Sequence, residues 1–143
     1  MPARFFEQEV QVPLRDKKKL SAFLDELVQR HLEGIRKISL RFIFCTDEYL
    51  LQINRQFLDH DTFTDIITFD LSEKETELQG EIYISTERVA ENAERFKASF
   101  EHELHRVIFH GTLHLCGFPD KKPDEKKEMT RQENACLLAY LGH

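Results

Sequence analysis

The run KISLRFIFCT at 37–46 sets Ile38, Leu40, Phe42 and Phe44 at alternate positions, so a strand formed here buries one face and turns the other outward. The apolar period then changes at once. In EYLLQINRQFL, behind Asp47 as the expected N-cap, apolar residues recur at helical spacing. This switch constrains the chain strongly, because a segment folded in the wrong period would leave half of its apolar residues in water.

The same reading extends along the chain. FFEQEVQV at 5–12 reads as an opening strand, and KKKLSAFLDELVQRHLE after Asp16 reads as a helix with Leu20, Phe23, Leu24, Leu27 and Val28 on one face. DIITFDL at 65–71 and GEIYIS at 80–85 are β-branched strands on either side of the polar loop SEKETELQ, expected to pair as a hairpin. Ser85 is placed to cap TERVAENAERFKAS; EHELHRVIFHGTLHLC follows as a more apolar helix, and DEKKEMTRQENACLLAYL closes the chain as a third. The order β, α, β, α, β, β, α, α, α predicts an α+β fold, with about four strands covered by helices.

With 143 residues and no internal repeat or Pro/Gly-rich linker, residues 1–143 read as one domain. No stretch approaches the ~20 apolar residues of a membrane span, and MPARFFEQEV carries acidic residues where a signal peptide has its apolar core. Cys45, Cys116 and Cys136 form no close pair and fit reduced core thiols, so a cytoplasmic location is expected. The net charge of −6 argues against a general nucleic-acid coat, but RDKKK at 15–19, RKISLR at 36–41 and KKPDEKK at 121–127 leave room for a local basic face.

The segment FHGTLHLCGFPDKK carries the candidate chemistry. His110 and His114 stand four apart on one helix face, a spacing at which both imidazoles reach one ion. Gly117 is placed to end the helix in a left-handed turn, and Pro119 cannot resume it, so the reversed chain returns Asp120 as a third ligand. The pattern of His, +4, Gly at +7 and a ligand at +10 also occurs in long zinc-peptidase motifs. The position that holds a catalytic glutamate there is Gly111, which can do no acid or base chemistry and is expected to open space beside the ion for a bulky substrate. Cys116, about 200° around the helix from His114, faces away from the ion.

These residues resemble a known family. HGTLHLCGF is similar to the HGxLHLxGY/F signature of the YbeY proteins, metal-dependent endoribonucleases of ribosomal RNA maturation. TDIITFD resembles the family's TDVLSF segment, GEIYIS its GDIxIS strand, HELHRVIFHGTLHL its active-site helix, and Met129 with Glu133 the spacing of its last helix. The resemblance implies a four-stranded mixed sheet with helices and a zinc ion held by three side chains on a central helix. It further implies cleavage of single-stranded RNA in 16S rRNA 3′-end maturation and ribosome quality control, with ribosomal or GTPase proteins as candidate partners.

Two departures stand out. The family's third histidine is replaced by Asp120, a carboxylate that binds zinc in recognised catalytic sets but also admits Mn²⁺ or Fe²⁺. Leu58 stands where the family usually has an arginine, and Arg55, one turn earlier, is the candidate to stabilise charge on the phosphate in its place. Thr64 and Asp65 read either as turn residues or as second-layer groups that orient a ligand histidine or floor a cleft; His102 and His105 read as structural or solvent-facing. Three alternatives stay open: a metal-dependent hydrolase of another substrate such as peptides, a non-catalytic ribosome-associated module with a structural metal, and an Fe²⁺ oxygenase built on two His and one carboxylate.

Overall fold

The computed structural model describes residues 1–58 and 64–143. Among them run β1 (Ala3–Glu7), α1 (Lys17–His31), β2 (Lys37–Cys45), α2 (Asp47–Leu58), β3 (Ile66–Asp70), β4 (Glu77–Ser85), α3 (Thr86–Arg95), α4 (Phe100–Leu115) and α5 (Pro123–Leu141). The strands form one mixed sheet in the order β1-β2-β4-β3. β1 and β2, and β2 and β4, pair in parallel, while β3 returns antiparallel to β4 as the expected hairpin.

The period-two pattern sorts side chains to the two faces as expected. Leu40, Phe42 and Phe44 of β2 and Leu78, Ile82 and Ile84 of β4 enter the main core with Leu20, Leu24 and Leu27 of α1 and Leu104, Ile108, Phe109 and Leu113 of α4. The intervening Cys45 and Ile67 join Leu50 and Ile53 of α2 in a smaller cluster on the opposite face. Each large apolar side chain buried in this way contributes roughly 1.5–3 kcal/mol relative to exposure. Burial pushes the thiols of Cys45 and Cys116 up to about 12 and that of Cys136 to about 11, which leaves all three protonated and inert at neutral pH.

Two local expectations are corrected. The first strand stops at Glu7 rather than residue 12, because Glu9 takes a left-handed φ of 62° and the Glu7 carboxylate accepts the Val12 N–H outside the ladder. The cap of α2 is Thr46, whose Oγ1 accepts the Tyr49 N–H at 3.1 Å, while Asp47 starts the helix and receives Arg88 Nε at 3.0 Å. Ser85 caps α3 as expected, accepting the Arg88 N–H at 3.2 Å.

α4 lies on the sheet at two points of close approach. A Cβ at Gly111 would stand 2.9 Å from Ile82 Cγ2 and 3.0 Å from Ile66 Cδ1, and one at Gly80 of β4 would stand 2.6 Å from Leu115 Cδ1. Both glycines let backbone or side chain settle where a methyl group would collide. Gly111 is therefore a packing residue against β3 and β4; it does not open space beside the histidines.

Candidate metal centre

The Ser99 hydroxyl starts α4 by accepting the His102 N–H at 3.0 Å. At the other end the Gly117 N–H reaches the His114 carbonyl at 2.9 Å and the Phe118 N–H reaches the Leu113 carbonyl at 3.1 Å, with Gly117 at φ +101°. This is a Schellman turn, and its left-handed residue has to be tolerant of positive φ, which glycine supplies. The chain reverses and carries Asp120 back over the helix end.

There the Asp120 Oδ2 lies 3.3 Å from His110 Nε2 and 3.3 Å from His114 Nε2. Zinc held at about 2.0–2.1 Å by tetrahedral ligands sets neighbouring donor atoms about 3.3–3.4 Å apart, so two edges of the triangle already match. All three donor atoms lie within 4.8 Å of one another. The set of two imidazoles and one carboxylate fits a zinc-type ion, with Mn²⁺ and Fe²⁺ compatible with the same donors.

The next layer of the site comes from α5. Glu133 Oε2 lies 2.6 Å from His110 Nδ1, which fixes Nδ1–H as the donor and leaves the Nε2 lone pair turned toward Asp120 and His114. The other Glu133 oxygen accepts Arg106 Nη1 at 2.9 Å, and Arg106 Nη2 donates to Asn134 Oδ1 at 2.8 Å. Burial by itself would lower the His110 pKa, but the hydrogen bond and charge of Glu133, with Asp120 and Asp65, outweigh it and raise it.

Sequence reasoning noted Glu133 only as a spacing and passed over Arg106. A signal was present: Met129, Cys136 and Leu137 make a buried stripe on α5, and Glu133 sits inside that stripe, where an acid needs a partner.

A cleft of about 430 Å³ opens beside the three donors, and its walls include Asp65, Glu103, Arg106 and Glu133. Thr64 and Asp65 both line it, and the Thr64 hydroxyl donates to the Ile66 carbonyl at 3.4 Å. Burial raises the Asp65 pKa against the opposing charge of His110. The partner of His110 Nδ1 is Glu133, and Asp65 lines the cleft beside it.

Arg55 and Leu58 occupy exposed positions on α2, and neither is among the described residues of the cleft wall; the arginine there is Arg106. His105 is buried with Nδ1 2.7 Å from the Glu101 carbonyl, and His102 Nε2 meets the His143 carbonyl at 3.0 Å, both apart from the ion site. Cys116 faces the core.

A mixed sheet with a packed helix that carries two histidines, and a carboxylate returned to them by the following turn, defines an α+β protein with three donors that could hold a metal ion beside a cleft. The sequence pattern of the family Endoribonuclease YbeY matches residues 5–141. A relative of that name from Cytophaga hutchinsonii is 45% identical over 133 residues, spanning 93% of this chain and 92% of its own. Another, from Parabacteroides distasonis, is 40% identical over 137 residues, spanning 96% and 94%. A solution structure from Thermotoga maritima superposes with a TM-score of 0.63 at 28% identity, covering 95% of this chain and 87% of that one. The chain belongs to the YbeY family of endoribonucleases.

Proposed function

We propose that residues 1–143 act as one metal-dependent endoribonuclease domain that hydrolyses single-stranded RNA. Its proposed setting is the cytoplasm, in 16S rRNA 3′-end maturation and ribosome quality control, with ribosomal or GTPase proteins as partners. The observation that carries the reading is the convergence of His110 and His114 on Asp120 beside an open cleft. Structural zinc is normally closed by four protein ligands, whereas three donors leave a position for water or substrate.

His110, His114 and Asp120 would hold the ion, zinc in the first instance. A bound ion there supplies a Lewis acid and an acidified water. Glu133 holds His110 in the ligating tautomer, and Gly117 supplies the turn that returns Asp120. Arg106, braced by Glu133 and Asn134, is the cation on the cleft wall, while a role for Arg55 depends on reaching substrate from outside the described lining. The cleft itself is rich in carboxylates, so phosphate attraction falls to neighbouring cations such as Lys121, Lys122, Lys126 and Lys127, which follow Asp120 in sequence. Among the described residues no helix is long and apolar enough to cross a membrane.

Elemental analysis and an RNA cleavage assay test the reading together. The wild-type chain is expected to carry near-stoichiometric metal and cleave a single-stranded RNA, with binding that weakens steeply as salt rises. His114→Ala is expected to lose both metal and cleavage while remaining folded, because the histidine sits at the half-exposed end of an otherwise packed helix. Equal metal content in the two proteins would remove the metal centre, and cleavage that survives metal removal would remove the mechanism.

A further inference from the structure

Past the metal centre the cleft continues into a second cavity of about 530 Å³, and Phe96, Glu103, Arg106 and Glu133 line both. We propose that this shared wall is a nucleobase subsite: one base of a single-stranded RNA stacks on the Phe96 ring and turns its hydrogen-bond donors to the Glu103 carboxylate. The subsite rests on the endoribonuclease reading and gives it a base preference.

A singly exposed phenylalanine is ordinary surface. Phe96, at 65% exposure, differs because it stands on a cavity wall and on a rigid support. Its N–H bonds the Asn92 carbonyl at 2.9 Å, and two residues on the Ala98 N–H bonds the Ala93 carbonyl at 2.9 Å, so the turn that ends α3 is fixed. No ring of the described residues packs on Phe96. Aromatic faces presented in this way are what unpaired bases stack on, since every base offers a π-face.

Glu103 supplies the second, independent observation. It is 5% exposed, lines both cavities, and accepts no hydrogen bond from any described residue. Arg106 lies near it, but the guanidinium is engaged by Glu133 and Asn134. The Glu103 carboxylate opens into the two cavities, so the donors that meet it come from water or from a group that a bound ligand brings. Guanine presents two on one edge, N1–H and the exocyclic amino group, which match two carboxylate oxygens. Uracil presents one N–H between two carbonyl oxygens, and these would face the carboxylate with like charge.

The test uses the full zinc-loaded chain and two single-stranded RNAs, oligouridylate and the same oligomer with one guanine. Phe96→Ala is expected to weaken binding of the guanine-containing RNA by roughly 5- to 150-fold, the range that loss of one base stack spans. Phe96→Trp is expected to restore binding, with metal content unchanged in both. Wild type is expected to cleave at a fixed position relative to the guanine and to bind oligouridylate more weakly, and Glu103→Gln to abolish that difference. Wild-type cleavage together with unchanged affinity in Phe96→Ala, or with equal affinity for the two RNAs, would overturn the subsite and leave the nuclease standing. A wild-type chain that neither binds nor cleaves either RNA would overturn the nuclease, and the subsite with it.

Discussion

On the sheet side of α4, Gly111 lies so close to β3 and β4 that one added carbon would press on Ile82 and Ile66, whereas on the adjoining face, about a quarter-turn round the helix, Glu103, Arg106, His110 and His114 face a cleft and polar partners from α5 and the turn after Gly117. The first side is governed by volume and the second by hydrogen bonding and charge. Both are carried by one rigid rod, so packing on the sheet fixes where the two histidine backbones stand, while Glu133 orients the His110 ring and the Gly117 turn returns Asp120. If the two sides are separable in this way, substitutions on one should change metal affinity and on the other stability.

The largest effect is expected at Glu133. Glu133→Gln keeps the volume but removes the charge that holds His110 Nδ1–H and Arg106 together. Partners of this kind typically contribute 10–100-fold, so metal affinity should fall by about that factor, or roughly 1.4–2.7 kcal/mol. Competition with a chelator measures it. Unchanged affinity would show that His110 is oriented by packing alone, and the distinction between the two sides would fail at its centre.

Gly111→Ala probes the other side. Overpacking of this kind costs about 1–3 kcal/mol, and the better helix propensity of alanine returns about 1 kcal/mol, so a net loss of about 1 kcal/mol or a little more is expected in urea unfolding. Ile82 Cγ2 is attached at the Cβ of a fully buried strand residue and cannot swing aside, which is why the gain in propensity does not win. Metal affinity should shift by less than tenfold. A shift as large as that of Glu133→Gln would mean that the sheet contact and the donor geometry are one coupled unit.

The same division explains what the sequence made legible. His110, His114, Gly117 and Asp120 belong to one helix and its terminal turn, so local spacing was enough to bring them together. Glu133 reaches His110 across 23 residues, and Arg106 reaches Glu133 across 27, through packing of α4 on α5 that no local period reports. Gly111 was misassigned for a related reason: the sequence shows that a side chain is missing, but the neighbour filling the space lies on β3 and β4. Arg55 was chosen by its helical distance from Leu58, which says nothing about whether α2 reaches the cleft. The strands and helices themselves were readable because their periods are intrinsic to each segment. β1 ended early because Glu9 adopts positive φ, a backbone state that apolar alternation does not encode.

The smallest expected effect separates the packed surroundings of α4, here against α5, from its charged cleft face by the sign of a pH dependence. His105 is packed near Phe109 and stacked on Tyr140, and burial lowers its pKa below 6.5 despite the opposing hydrogen bond to the Glu101 carbonyl. Below 6.5 the unfolded chain therefore binds a proton that the folded ring refuses, so His105 makes the fold less stable as pH falls through this window. In the metal-free chain His110 works the other way: its raised pKa contributes stability that is fully present below 6.5 and is lost as pH rises through the folded value. Urea unfolding of the apo protein at pH ~5.5 and ~8 should show His105→Asn losing less stability than wild type on the acid side, and His110→Asn losing less on the alkaline side. Bound metal should cancel only the second dependence, because an ion on Nε2 excludes the proton from His110 and leaves His105 untouched. Slopes of the same sign in the two variants would mean that the cleft is no more polar an environment for an imidazole than the core, and the division of α4 into a packed side and a charged side would not hold.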